Sequence, residues 1–313
     1  MATATHCRRS FSRGGQAAAG QTMRLLRACI MFLAISGFSS SFKPAFIKAT
    51  RPVSKALQAT TTPVIDSDAE AFERITLARR ATKHFERRAV PDELLKKVLA
   101  LVMRSPSGFN AQPYECVVVT SEEAKKKLSR AMLGANRERV LEAGATVVFA
   151  SDLNSMKNVK KLTKLLGEEG WPEGFISKVP LYLSVFSTGH KRFFRLPLVV
   201  IKKASFAVVQ RLGKGMPTVA GAETWAFKNT MLAVQELLLA ATSHGLASCP
   251  MEGFDMRRLR KALRIPLRYS IPIVVCIGYP SEEQRDFKTL RFDPGEVFHR
   301  DEFGTTLEGI PSL

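Results

Sequence analysis

Residues 225–255, WAFKNTMLAVQELLLAATSHGLASCPMEGFD, decide the architecture. From Trp225 to His244 the stretch reads as a long, largely apolar helix. Gly245 supplies its stop, because glycine enters the left-handed conformation that closes a helix without a steric penalty. A helix that is apolar on more than one face belongs near the centre of a core. The polar cluster Cys249-Pro250-Met251-Glu252-Gly253-Phe254-Asp255 follows. Its glycine permits close backbone approach, and Asp255 is placed to cap a helix from Met256 to Leu263. Further out, Ile273-Val274-Val275-Cys276-Ile277, Val147-Val148-Phe149 and Cys116-Val117-Val118-Val119 are short and rich in β-branched residues, as buried strands are. Helices are expected over Glu122 to Met132, from Pro91-Asp92-Glu93 through Val102, and over Glu70 to Arg80 with Phe72, Ile75 and Leu77 or Ala78 turned inward. Strands separated by helices indicate a mixed α/β or α+β domain.

Composition supports a folded core. Of 313 residues, 45% are apolar and 24% charged, which excludes a disordered, collagen-like or polytopic membrane chain. The five cysteines form no C-x-x-C pair and the five histidines no H-E-x-x-H, so neither a disulfide scaffold nor a metal centre is expected. A P-loop, a G-x-G-x-x-G and a Ser-His-Asp elbow are also absent.

The net charge of +19 is unevenly spread: residues 1–65 contribute +9 and no acid, residues 154–222 another +9, and the remainder +1. The first 65 residues have the composition of a targeting leader. Residues 23–41 resemble a signal peptide, with a basic start at Arg24 and Arg27 and an apolar run from Ala28 to Phe38. Residues 42–65 resemble a transit peptide. That two-part form points to an organelle, a plastid ahead of a mitochondrion, and leaves 66–313 as the folded domain. Within it, 154–222 is read as a basic and apolar insertion or lid. Lys157, Lys160, Lys161 and Lys164 alternate there with Val159, Leu162 and Leu165, which allows peripheral contact with an anionic membrane. Few aromatics interleave with these lysines, so nucleic acid is not expected as a partner.

Two more polar clusters sit at element edges. Arg79-Arg80-Ala81-Thr82-Lys83 crowds cations at a helix end, where an anion would relieve their repulsion. Ser105-Pro106-Ser107-Gly108-Phe109-Asn110-Ala111-Gln112-Pro113-Tyr114 offers backbone and amide donors before a strand. Taken in order, R-R-x-T-K-x-F at 79–85, S-P-S-x-x-N-x-Q-P at 105–113, N-x-x-R at Asn136 and Arg139, P-x-E-G-F-D at 250–255, G-Y-P at 278–280 and finally Arg291 resemble the FMN-dependent nitroreductase family, the NAD(P)H:FMN oxidoreductases. The resemblance covers 69–153 and 223–300.

The resemblance implies an α+β fold, a mixed central sheet flanked by helices, in an intertwined homodimer with FMN at the subunit interfaces. By it, Arg79 and Arg291, assisted by Lys288, would hold the FMN phosphate, and Arg80 would join the cofactor site. Lys83, Asn136 and Arg139 would line the ring edge, and Pro106, Ser107, Gly108 and Asn110 would come from the other subunit. Pro250, Met251, Glu252 and Gly253 would pack on the ring, a backbone N–H of Glu252 or Gly253 aimed at its N5, with no side-chain acid or base. Phe109 would narrow the substrate pocket. The implied reaction passes a hydride from NAD(P)H through FMN to a nitroaromatic, quinone or similar planar acceptor by a ping-pong scheme. Reductive dehalogenation or flavin fragmentation on the same fold, and a non-enzymatic membrane-associated binding protein, are the alternatives. Ala81 departs from the family, which usually has a serine there.

Overall fold

The computed structural model of the chain describes residues 66–187, 204, 208, 211, 221–284 and 289–311. The expected leader, the middle of the basic insertion and Lys288 lie outside the described residues. The chain divides into two compact units, one containing Phe109–Ala111 and Leu153–Ala226, the other Thr61–Gly108, Gln112–Asp152 and Phe227–Leu313.

The second unit is built on four strands, β1 (Tyr114–Val119), β2 (Ala145–Asp152), β3 (Ala247–Met251) and β4 (Tyr269–Gly278), in the order β1-β2-β4-β3. Neighbours run antiparallel, with Val117 opposite Val148, Val147 opposite Val275 and Cys249 opposite Cys276. A parallel bridge between Ala81 and Ser248 lays the chain after the first helix along β3, so the sheet carries both directions. β2 and β4 are central, and their β-branched runs are buried on both faces.

Alternation along the strands splits the core in two. On one face Val147, Phe149, Ile273, Val275 and Ile277 meet Leu95, Val98 and Val102 of α2 (Asp92–Val102) and Val234, Leu237 and Ala241 of α8 (Ala222–Ser243). On the other, Val148, Val274, Cys276, Cys249 and Met251 meet Leu128 of α3 (Glu122–Ser129), Val140 of α4 (Asn136–Glu142) and Leu259 of α9 (Met256–Leu263). The long helix is present where the sequence predicts it. It buries residue pairs at helical spacing, from Trp225 and Ala226 to Ala240 and Ala241. Met231 and Leu232 on its other side stay exposed.

The sequence misleads in three places. The run at 116–119 is buried on one face only: β1 is an edge strand, Val117 and Val119 pack on the core, and Cys116 and Val118 are exposed on its uncovered side. Phe72 and Leu77 of α1 (Asp66–Ala78) do not turn inward, being 60% and 55% exposed. No strand is expected directly after the long helix, and there β3 runs Ala247–Met251.

In the first unit, α5 (Val159–Glu168), α6 (Glu173–Ile176) and α7 (Val179–Ser187) pack a small core of Leu153, Leu162, Leu166, Val179, Leu183, Trp225 and Ala226, with Ala111. α10 (Pro294–Val297) lies in the C-terminal stretch, capped by Asp293.

Candidate functional site

Pro250 explains why the site forms at a sheet edge. Proline has no N–H to give a ladder, so it is tolerated where a strand faces away from its partner. Antiparallel residues alternate between facing the partner and facing out. Thr82 N–H donates to the Ser248 carbonyl across the open side of β3, at 2.9 Å. Ser248 and Pro250 therefore face out, and Glu252 follows the last residue of the strand.

Below that edge a chain of contacts fixes the next residues. The Gly253 carbonyl accepts from the Leu133 N–H at 3.0 Å and from Asn136 Nδ2 at 3.1 Å. Asn136 Oδ1 in turn accepts from Arg139 Nη1 at 2.5 Å. The i, i+3 spacing on α4 puts both side chains on one helix face. Glycine at 253 lets the Asn136 amide come close, since a Cβ there would sit 2.8 Å from Asn136 Nδ2.

Lys83 joins them from the segment paired with β3. Its N–H donates to Gln284 Oε1 at 2.6 Å, and the next N–H, of His84, shares that acceptor at 3.3 Å. Burial pushes the Cys249 thiol up, against the opposing pull of the Lys83 and Arg139 charges. Two cations thus sit close to the end of β3. Among the described residues neither has a carboxylate partner, and Arg139 Nε is buried without an acceptor.

The other predicted residues are placed differently. Arg79 and Arg80 close α1, half-buried, with Arg80 Nε donating to the Ala78 carbonyl at 3.5 Å. Ser107 Oγ accepts from the Gln112 N–H at 3.0 Å, and the Gly108 N–H donates to Asn229 Oδ1 at 2.6 Å. Phe109, Asn110 and Gln112 take φ of 57°, 52° and 43°, a left-handed conformation costing on the order of 1 kcal/mol each in non-glycine residues. The Phe109 ring is stacked on Tyr182 of α7, centroids 5.2 Å apart. Pro106 lies in the same loop. Arg291 is exposed and donates to its neighbour's carbonyl, Leu290 O, at 2.8 Å, with no described contact to Arg79 or Lys83.

The structure adds residues the sequence reading did not select. Gln284 holds the backbone at Lys83 and His84, and nothing in its local sequence marks it. Asn229 and Tyr182 hold the 107–112 loop; Asn229 carries a visible signal, an amide on the buried stripe of an apolar helix.

A donor-rich cluster at the edge of an antiparallel sheet in an α+β core defines a class of protein. Residues 76–279 match the model of the nitroreductase family, and the chain belongs to that family. It is 29% identical to the NADH dehydrogenase of Thermus thermophilus over 223 residues, 71% of this chain and 91% of that protein. A nitroreductase family protein from Streptococcus pneumoniae shares the fold with a TM-score of 0.54 and 24% identity, over 73% of this chain and 99% of that one. A protein of Exiguobacterium sibiricum solved in complex with FMN does so at a TM-score of 0.56 and 17% identity, over 73% of this chain and 96% of that one.

Proposed function

We propose that this chain is an FMN-dependent oxidoreductase that takes a hydride from NAD(P)H and passes the electrons to a small planar acceptor, a quinone or a nitroaromatic, in two separate half-reactions. The observation that carries the reading is the group of Lys83, Asn136 and Arg139 beside β3, whose two cations have no carboxylate partner among the described residues. Such a set fits the electron-rich edge of a flavin. FMN, when bound, supplies the two-electron carrier that no side chain here provides.

Each residue then has a task. Lys83 and Arg139 would place positive charge where electron gain deposits negative charge; Asn136 holds the Arg139 guanidinium, and Gln284 holds the backbone at Lys83. A backbone N–H of Glu252 or Gly253 would donate to the ring nitrogen that receives the hydride. Arg79 and Arg80, with Lys288 and Arg291, suit the phosphate through guanidinium forks and ammonium charge.

The reading includes a homodimer. Leu290, Phe292 and Phe303 of the C-terminal stretch are 82%, 81% and 96% exposed, which a second copy would cover, and Pro106 to Asn110 would serve the partner's ring. It also includes an organellar address in residues 1–65, a plastid ahead of a mitochondrion, to be tested with a fluorescent fusion of that segment.

The experiment is an anaerobic absorbance titration of the purified full chain, reconstituted with FMN and then given NADPH or NADH. Flavin bands that bleach with the nucleotide and return with a quinone are expected. A protein that refuses added FMN overturns the reading.

A further inference from the structure

Residues 256–268, MRRLRKALRIPLR, carry six cations and no acid. Three of the six are engaged. Arg258 pairs with Asp255 at 3.5 Å, the Arg260 guanidinium donates to the Tyr269 carbonyl, and Arg268 stands 3.7 Å from Glu115 and 3.8 Å from Asp152. The other three, Arg257, Lys261 and Arg264, are exposed and have no carboxylate partner among the described residues. Asp255 lies near Arg257, but its carboxyl accepts from the N–H groups of Arg257 and Arg258 and pairs with the Arg258 side chain. Leu259, with Met256 and Leu263, seats α9 on the sheet, so Arg257 and Lys261, four apart, share the outward side. The Ala131 carbonyl accepts from the Asp255 N–H at 2.7 Å, which sets Arg130, also exposed, beside the start of the helix.

Two local features at the end of α9 work against stability. Arg264 closes the helix with φ 54° and ψ 33°, and both its own N–H and that of Ile265 donate to the Arg260 carbonyl, the latter at 3.0 Å. Glycine takes that left-handed position without a Cβ penalty, so arginine there has a steric cost that the closing bonds do not require. Leu267 then stands 80% exposed on the turn that the Tyr269 N–H closes onto the Pro266 carbonyl at 3.0 Å. The turn is anchored, since the Arg268 guanidinium lies 4.6 Å over the Tyr269 ring. A strained cation and a bare leucine, three residues apart on a fixed support, are what an interface displays.

We propose that α9 and the turn after it, through Arg257, Lys261, Arg264 and Leu267, dock the acidic surface of a partner protein. Guanidinium forks and the ammonium group fit carboxylates, and apolar atoms of the partner cover Leu267 at the same contact. A bilayer suits the face less, because the apolar stripe of α9 that would enter it is already in the core. Duplex nucleic acid would meet the cations and leave Leu267 against phosphates. None of these four residues belongs to the flavin reading, so the proposal stands apart from it.

The test uses the full chain and a fluorescein-labelled peptide of Glu-Glu-Leu repeats, read by anisotropy. Binding that weakens with salt is expected, as for exposed charge pairs. Replacing Arg257, Lys261 and Arg264 together by Gln should weaken it roughly 25-fold, at about threefold per residue. Leu267→Ser should weaken it about tenfold with the salt dependence unchanged. Arg264→Gly should raise the melting temperature while weakening binding about threefold, because it relieves the strain and removes the charge together. Lys97 and Arg104, exposed on the side of the sheet that carries α2, should be replaceable by Gln without effect. No binding, equal binding by the Gln triple variant, an equal loss on replacing Lys97 and Arg104, or Leu267→Ser without effect overturns the proposal. So does tighter binding, through the same residues, of duplex DNA or of phosphatidylglycerol vesicles.

Discussion

Asn136 is the residue on which the candidate site turns, because it joins the Gly253 carbonyl to the Arg139 guanidinium. Asn136→Ala should release Arg139 and weaken FMN binding about tenfold, roughly one charge-assisted hydrogen bond, as read by quenching of flavin fluorescence. Gly253→Ala drives a methyl into Asn136 Nδ2 and should weaken FMN to a similar degree while the fold survives, since the obstacle is a side chain that can shift. Equal FMN affinity in both variants would remove these residues from the site. Beneath them, burial pushes the Cys276 thiol up to about 12 from an ordinary 9.0, and the Cys249 thiol up as well. The folded state holds the Cys276 proton that the unfolded chain releases near pH 9. Its contribution is therefore complete below that pH and is lost as the pH rises toward 12. Cys276→Ala should flatten the alkaline fall of the melting temperature, and native protein at pH 8 should leave both thiols unalkylated by mass spectrometry. Asn136, Arg139 and Gly253 are legible in the sequence as spaced motifs. Gln284 is not, because its role comes from a turn that the chain brings back to Lys83 about 200 residues later.

Among the elements, α8 is read most readily from sequence, since its apolar spacing and closing glycine both survive in the fold. Leu237 is fully buried against the sheet, and Leu237→Ala should cost about 2–5 kcal/mol of stability in chemical denaturation. α9 begins where Asp255 promises it. The N–H of Arg258, and then that of Arg257, hold the Asp255 carboxyl below its ordinary value. Its support is present at neutral pH and fades as the pH falls below the ordinary carboxylate range. Asp255→Ala should lower the melting temperature at pH 7 and leave it nearly unchanged at pH 2. β1 and α1 are harder to read. An apolar triplet looks the same on an edge strand as in a sheet centre, and an amphipathic helix looks the same whether its apolar side meets its own core or lies open.

At the scale of the molecule, the exposed aromatics of the C-terminal stretch lie beyond the last strand, where this chain's own core does not cover them. Light scattering should find a dimer, and Phe292→Asp with Phe303→Asp should shift it toward monomer and weaken FMN retention. The sequence by itself determined the α+β order, the central strands, the long helix and the ordered motifs of the family. These follow from local periodicity, capping and spacing, which act over a few residues. Only the tertiary structure decided that β1 is an edge, that Pro250 lies in an edge strand, and that Lys83 and Arg139 flank Cys249 with no carboxylate partner among the described residues. Those facts depend on which distant segments meet, and long-range pairing is set by the packing of the whole core.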